Sequence, residues 1–197
     1  MSRVPTGRQV SGRGGRARCT ERASALLCAD PTVLSVRQDD PVTHLTAEID
    51  HLYRTMGESP ELLAAVARVV EAHDVDEARA AFERAGARDF LGLEEEAIPL
   101  YREALDRGLA APERLQCLVQ LGSSLRNVGD AEGAVHVLRS ARAEAPAEGK
   151  DWVDAFLALA LHSTGQTSQD LAVALTALAP HLTLYGRAVG SYAEDLV

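Results

Sequence analysis

The sequence predicts an all-α protein, and three observations support this fold class. Ala and Leu, which are among the strongest helix formers, are abundant in a composition that is 46% hydrophobic but only 4% aromatic. From Leu45 onward, apolar residues recur at intervals of three and four. No segment shows the alternation of apolar and polar residues that is typical of a strand. We therefore expect short helices joined by short turns.

The chain of 197 residues is long enough for one folded domain preceded by a tail. The stretch SGRGGRAR is rich in Arg and Gly, and two Asp-Pro pairs interrupt the short apolar run that follows it. We expect residues 1–42 to be a disordered tail, and the folded domain to cover residues 43–197. An alternative stays open, in which the tail is not made because translation starts near Val42 or at Met56.

Charge is distributed unevenly along the chain. Residues 1–22 hold six Arg against Glu21, so that, of a net charge of −9, the remaining residues carry −14. An acidic folded domain argues against nucleic-acid binding there. A nucleic-acid role would depend on the Arg/Gly-rich tail, which has no aromatic residue on which bases could stack.

The cysteines and the hydropathy indicate a cytoplasmic protein. Cys19, Cys28 and Cys117 are an odd number without a CxxC pair, which argues against a disulfide framework or a zinc site. The apolar run at residues 23–29 is too short for a convincing secretory signal. No run approaches the roughly 18 apolar residues of a membrane span.

Local signals predict the helices in chain order. The first covers residues 45–56, and the second follows the helix-start signal SPE at residues 59–61. Asp74 with Glu77 predicts a capping box for the third helix, which ends near Arg88. Further helices are expected at about 93–108, 113–127, 131–145, 151–164, 168–179 and 181–196.

Small residues recur at a fixed spacing in the stretch LVQLGSSLRNVGDAEGAVHVLRSARAEAP, residues 118–146. Small side chains let two antiparallel helices approach closely, and a tight turn between them favours Gly. The residues with this role are Gly122, Gly129, Ala134, Ala141 and Pro146. Their spacing resembles the 34-residue tetratricopeptide repeat.

The pattern recurs on both sides of this unit. A shift of 37 residues toward the N-terminus falls on Gly92, Ala97, Tyr101 and Ala104. Toward the C-terminus, Trp152 and Gly165 occupy corresponding positions, and the helix between them is apolar on nearly every side, which predicts a buried, central helix. The resemblance implies a right-handed α-α superhelix of about three repeats with flanking helices. The LRNVG core is similar to that of a small bacterial group of uncharacterised role, for which homodimers have been suggested.

The resemblance implies a partner-binding concave face lined by the first helix of each repeat. We expect this face to contain Arg79, Phe82, Glu83, Gln116, Val119, Gln120, Ser123, Arg126 and Asn127. Family members that bind a peptide carboxylate use Lys and Asn where this chain has Val119 and Ser123, so that clamp is not expected. Arg126 and Asn127 are the best polar candidates. The alternative, that Arg126 is solvated and Asn127 caps a turn, stays open.

The last predicted helix carries a second candidate surface. Its apolar residues repeat at intervals of three and four, like a coiled-coil seam. They are Leu182, Tyr185, Val189, Tyr192 and Leu196. This seam is expected either to close the end of the repeat array or to form a homodimer face, for which the tyrosines are suitable anchors.

No pattern of catalytic chemistry is present in the sequence. HExxH, GxSxG and phosphate-loop motifs are absent, and the stretch EAHDVDEA is better explained by helix capping than by metal binding. Cys117 has no neighbouring base in the sequence. We expect no cofactor, no metal and no enzyme activity, and a protein or peptide partner. An enzyme centred on His73 or His136 remains the alternative.

Overall fold

The computed structural model describes residues 41–182 and 185–196. The tail predicted over residues 1–42 therefore lies outside the described residues, except for its last two. The described part contains nine α-helices and no strand. They are α1 (Pro41–Met56), α2 (Leu62–Ala72), α3 (Glu77–Phe90), α4 (Glu94–Asp106), α5 (Glu113–Asn127), α6 (Ala131–Glu144), α7 (Lys150–Ser163), α8 (Thr167–Leu178) and α9 (Gly186–Glu194).

The helices form an array in which each helix packs on the next one along the chain. Three helix pairs, α3 with α4, α5 with α6 and α7 with α8, match the three predicted repeats. The first helices also contact one another, because α5 touches both α3 and α7. The predicted all-α repeat architecture is confirmed.

Close packing within the pairs explains the small residues of the sequence. A Cβ atom on Gly122 of α5 would lie 2.6 Å from Cγ of Leu138 on α6, which is closer than real contacts allow. The alanines at the repeat positions, Ala97, Ala104, Ala134 and Ala141, are fully buried. Their absent or small side chains therefore let the two helices of a pair approach closely.

Glycine is required at the turn inside each pair. Gly92, Gly129 and Gly165 adopt φ angles of +69°, +93° and +80°. Side chains disfavour this left-handed region, whereas glycine enters it without steric cost. The recurrence of Gly at this repeat position is thus a backbone requirement.

The core has two parts that meet at α3. One cluster lies among α1, α2 and α3, and the other extends from α3 to α7. Phe90 of α3 belongs to the first cluster, and its ring centroid lies 4.8 Å from that of Tyr53 on α1 with the two rings tilted, whereas Phe82 belongs to the second cluster and lies beside Tyr101 of α4. Helix α3 therefore connects the N-terminal pair to the repeats.

Capping at the start of α3 differs from the prediction. Asp76, and not Asp74, is the N-cap, and its Oδ1 accepts a hydrogen bond of 2.7 Å from the backbone N–H of Arg79. Asp74 instead has a φ of +46° in the preceding turn. The reason is positional, because a side chain can cap only from the residue directly before the first turn.

The last helix is shorter than predicted. Helix α9 begins at Gly186 and not at residue 181, because Leu182 is extended and Tyr185 has a φ of +66°. Gly186 passes so close to the preceding 3-10 turn, Ala179–His181, that a Cβ atom on it would lie 2.4 Å from the carbonyl oxygen of Ala179. The predicted seam is therefore not carried by one continuous helix.

Candidate protein-interaction surfaces

Most residues of the predicted concave face are buried. Arg79, Phe82, Glu83, Val119, Gln120 and Ser123 are covered in the array, whereas Gln116 and Asn127 are exposed and Arg126 is half-buried. The cause is the direct packing of α5 against both α3 and α7. The surface that this row offers to a partner is therefore confined to Gln116, Arg126 and Asn127.

Arg79 joins three helices inside the protein. Its Nε donates to Oε1 of Glu83 at 2.6 Å, one Nη donates to Glu113 of α5, and the other donates to Oγ1 of Thr46 on α1 at 3.0 Å. Burial raises the pKa of Glu83, and the neighbouring guanidinium opposes that shift. These contacts give Arg79 a structural role, because they connect α3 to α1 and α5.

Arg126 and Asn127 are linked to each other at the end of α5. Arg126 Nη2 donates to Oδ1 of Asn127 at 3.2 Å, and Asn127 Nδ2 donates to Oε1 of Glu94 at 3.3 Å. Glu94 is the first residue of α4, so Asn127 ties the two helix ends together. This contact supports the structural alternative for Asn127, while both side chains keep accessible surface for a partner.

Among the described residues, the tyrosines of the predicted dimer face are the most exposed large hydrophobic side chains. Tyr185 is 80% exposed and Tyr192 is 67% exposed. The remaining residues of that face, Leu182, Val189 and Leu196, are half-buried. Helix α9 packs on α8 and on the 3-10 turn before it. A homodimer through these tyrosines stays a prediction.

An apolar groove between α7 and α8 was not predicted from the sequence. This terminal groove has a volume of about 640 Å³ and contains Leu159, Leu171 and Leu178, which are 47%, 48% and 48% exposed. Helix α7 is therefore not buried on every side, contrary to the expectation from its composition. Among the described helices, α9 packs on α8 and not across both helices, and so leaves the groove uncovered.

A short internal repeat in the sequence could have indicated this groove. The segment DWVDAFLALALH, residues 151–162, and the segment DLAVALTALAPH, residues 170–181, share six of twelve residues in register. This repeat of nineteen residues is shorter than the tetratricopeptide period, so a search at that period does not find it. The shared residues include five pairs that line the groove.

The two histidines of the alternative enzyme site lie apart from any cluster of catalytic groups in the part of the chain that the structure describes. His73 contacts Glu48 at 3.2 Å, and His136 is exposed. Within residues 41–182 and 185–196, no three His, Cys, Asp or Glu side chains converge to hold a metal ion. Burial raises the pKa of the Cys117 thiol to about 12, which keeps it protonated at neutral pH and disfavours a nucleophilic role.

Comparison with known proteins agrees with the helix pairs. A family model described as tetratrico peptide repeat matches residues 78–196, which span α3 to α9. No curated protein and no solved structure matches the chain. Among the described helices, none combines the length and apolar character needed to cross a membrane.

Proposed function

Because the chain belongs to the tetratricopeptide repeat family, we propose that it is a non-catalytic protein-interaction scaffold whose main recognition surface is the terminal groove. The observation that supports this proposal is the cluster of Leu159, Leu171 and Leu178, each about half exposed around one cavity. Contiguous exposed apolar surface is uncommon on soluble proteins and marks interaction sites. Repeat arrays also bind partners through surfaces that no neighbouring repeat covers.

The concave row is a second contact surface in this proposal. Gln116, Arg126 and Asn127 are the members that a partner can reach. The guanidinium of Arg126 can bind a carboxylate through two hydrogen bonds, and Gln116 can donate to or accept from an extended backbone. Because this surface is polar and small, we expect it to add specificity to an interaction that the terminal groove stabilises.

Self-association through the C-terminal residues is the second candidate function. The high exposure of Tyr185 and Tyr192 favours it, since tyrosine is enriched at the energetic centres of interfaces. The resemblance to the bacterial group with an LRNxG core, for which homodimers have been suggested, also favours self-association. The free, buried thiol of Cys117 is compatible with the cytoplasmic location that we propose.

The proposal is tested by affinity capture with variants of the full chain. A tagged protein is expressed in the cells that make it, and bound proteins are cross-linked and identified by mass spectrometry. We expect Leu171→Glu to reduce the recovery of a specific partner on the order of tenfold or more, since it places a charge in the apolar groove. Val128→Glu is the matched control, because Val128 is a 41% exposed apolar residue outside the groove lining.

Two outcomes would contradict the proposal. A partner recovered equally with wild type and with Leu171→Glu would exclude the terminal groove as the recognition surface. Loss of recovery with the double variant Arg126→Ala and Asn127→Ala, but not with Leu171→Glu, would assign recognition to the concave row. Circular dichroism of each variant checks that the helical fold is retained.

A further inference from the structure

We infer that the terminal groove binds the same groove of a second copy of the chain, so that α7 and α8 of both copies form a four-helix bundle. The inference rests on the proposed function, because it names the partner of the surface proposed there. It is carried by a local twofold pattern of residues in the groove, by the histidine–aspartate pairs at its two ends and by its exposed leucines.

The local symmetry follows from the internal repeat. Two antiparallel helices are exchanged by a half-turn about the axis perpendicular to their common plane. Five pairs of lining residues related in this way are chemically identical, with the second nineteen residues after the first, whereas the lining residue Leu171 corresponds to Trp152, which does not line the groove. The pairs lining the groove are Asp151 with Asp170, Ala155 with Ala174, Ala158 with Ala177, Leu159 with Leu178 and His162 with His181.

The two ends of the groove carry the same pair of side chains. At one end, His181 Nε2 lies 2.6 Å from Oδ2 of Asp151. At the other end, His162 Nδ1 lies 2.8 Å from Oδ2 of Asp170. Each end therefore presents one imidazole and one carboxylate, and the floor between them consists of alanine and leucine.

Such a face is complementary to itself. In a symmetric dimer the twofold axis lies in the plane of the interface, either along the helices or across them. An axis along the helices places α7 over α8 of the other copy, so that Asp151 meets a second His181. An axis across them places α7 over α7, so that Asp151 meets a second His162. In both arrangements a carboxylate faces an imidazole, and no two carboxylates are forced together.

The apolar part of the groove is complementary in the same way. The leucines are large and project beside rows of small alanines, so that leucines of one copy can pack over alanines of the other. Two antiparallel pairs brought together in this manner give the geometry of a four-helix bundle.

The position of the groove in the array points to the same occupant. The corresponding side of the pair α5 and α6 is covered by α7, the first helix of the next repeat. The groove of α7 and α8 has no such cover among the described residues. A second copy would cover the groove with helices of the same repeat type.

The oligomeric state of the full chain tests the inference. Sedimentation equilibrium over a wide concentration range is measured for wild type, Leu159→Glu, Leu171→Glu and Tyr192→Glu. We expect a wild-type dimer whose dissociation constant rises on the order of 30-fold or more with either groove variant. Tyr192→Glu should leave the constant unchanged, because Tyr192 lies on α9 and does not line the groove.

A mixing experiment checks that the aspartates of one copy face the histidine positions of the other. His162→Glu with His181→Glu gives a face with four carboxylates, and Asp151→Lys replaces one carboxylate of the face with an ammonium group. Each variant should dimerise more weakly than wild type, and an equimolar mixture should form a mixed dimer more tightly than either variant alone. Circular dichroism melting of each variant separates weak association from loss of fold.

Three results would overturn the inference. They are a wild-type monomer at every concentration, a dimer that the groove variants leave intact, and a dimer that only Tyr192→Glu dissociates. The failure of the proposed function can be distinguished from the failure of this inference. A monomer that captures another protein through Leu171 would support the proposed function and contradict binding of a second copy. A groove-dependent dimer that captures no other protein would support this inference and contradict the proposed scaffold function.

Discussion

The pair α5–α6 and the pair α7–α8 have the same hairpin architecture but differ in what covers them. In both, two helices are joined at a glycine of positive φ, Gly129 in the first pair and Gly165 in the second. In α6, Leu138 is 1% exposed because α5 covers it, and α7 packs against the other side of the pair. In α8, Leu171 and Leu178 remain half exposed. Exposure in this protein is therefore set by the position of a helix in the array and not by its composition.

Polar side chains differ between the two regions in the same way. In the middle of the array, Arg79 and Glu83 form an ion pair whose side chains are 10% and 9% exposed. In the terminal pair, the side chain of His162 is 73% exposed although it contacts Asp170. Polar pairs of the middle region hold helices together, whereas those at the terminal groove are available to a partner.

The largest expected effect is that of Arg79→Ala. The substitution leaves Glu83 and Glu113 close together without their shared cation, and Glu83 is buried. Removing one partner of a buried ion pair costs about 3 to 5 kcal/mol of unfolding free energy. Urea unfolding followed by circular dichroism measures this loss.

The control for Arg79→Ala is Arg114→Ala. Arg114 pairs with Glu144 at 2.8 Å, but both side chains are more than a third exposed. Water screens such a pair, so we expect a loss of only about 0.5 kcal/mol. Equal losses for the two variants would contradict the structural role assigned to the buried pair.

A second effect depends on pH and concerns Asp89 of α3. Its carboxylate accepts hydrogen bonds from Tyr101 Oη at 3.2 Å and from Ser124 Oγ at 2.9 Å. Burial nevertheless raises the pKa of Asp89 from 3.8 to about 6. The folded state therefore binds this proton more tightly than the unfolded state does. The contribution of Asp89 to stability should fall by about 3 kcal/mol as the pH rises from about 4 to above 6.

The comparison with Asp89→Asn isolates that contribution. The amide has the same shape and can still accept from Ser124, but it does not titrate. We expect the unfolding free energy of wild type, relative to the variant, to decrease as the pH rises through this window. A difference between the two proteins that stays constant from pH 4 to pH 7 would show that Asp89 does not titrate there.

The third effect compares two alanines at helix-packing positions. Ala134 of α6 is fully buried against α5, whereas Ala174 of α8 is exposed in the terminal groove. Ala134→Leu should overpack the pair and cost about 1 to 3 kcal/mol, while Ala174→Leu should change stability by less than about 0.5 kcal/mol. Thermal melting of both variants at low protein concentration measures the difference. Similar melting of Ala134→Leu and wild type would refute the proposed repeat register.

The helices and their pairing could be predicted because their signals are local. The geometry of one hairpin requires Gly129 at its turn and Ala134 at its close contact, and all the residues of that hairpin belong to a single repeat. The end of the chain was predicted less well. The start of α9 at Gly186 coincides with the close approach of Gly186 to the carbonyl oxygen of Ala179, and local helix propensity does not predict this contact.

The candidate surfaces could be predicted only in part, because the exposure of a residue depends on how neighbouring helices pack. Arg79 and Ser123 occupy repeat positions that face a partner in an open superhelix, but here α3, α5 and α7 pack closely and bury them. The terminal groove was missed for the opposite reason, because an apolar helix such as α7 is expected to be covered. Which faces remain open depends on whether a next helix follows, and that is a property of the whole array.

The smallest expected effect concerns the two histidines at the ends of the terminal groove. His162→Gln and His181→Gln each remove a contact with an aspartate, but the histidine side chains are 73% and 61% exposed. Exposed pairs of this kind contribute little to folding, so each variant should lose less than about 0.5 kcal/mol of unfolding free energy. Urea unfolding measures this loss in chains that also carry Leu171→Glu, which we expect to be monomeric. A larger loss would mean that these pairs hold α7 and α8 together, as Arg79 holds its neighbours. The terminal pair would then resemble the middle of the array in its polar contacts and differ from it only in its exposed leucines.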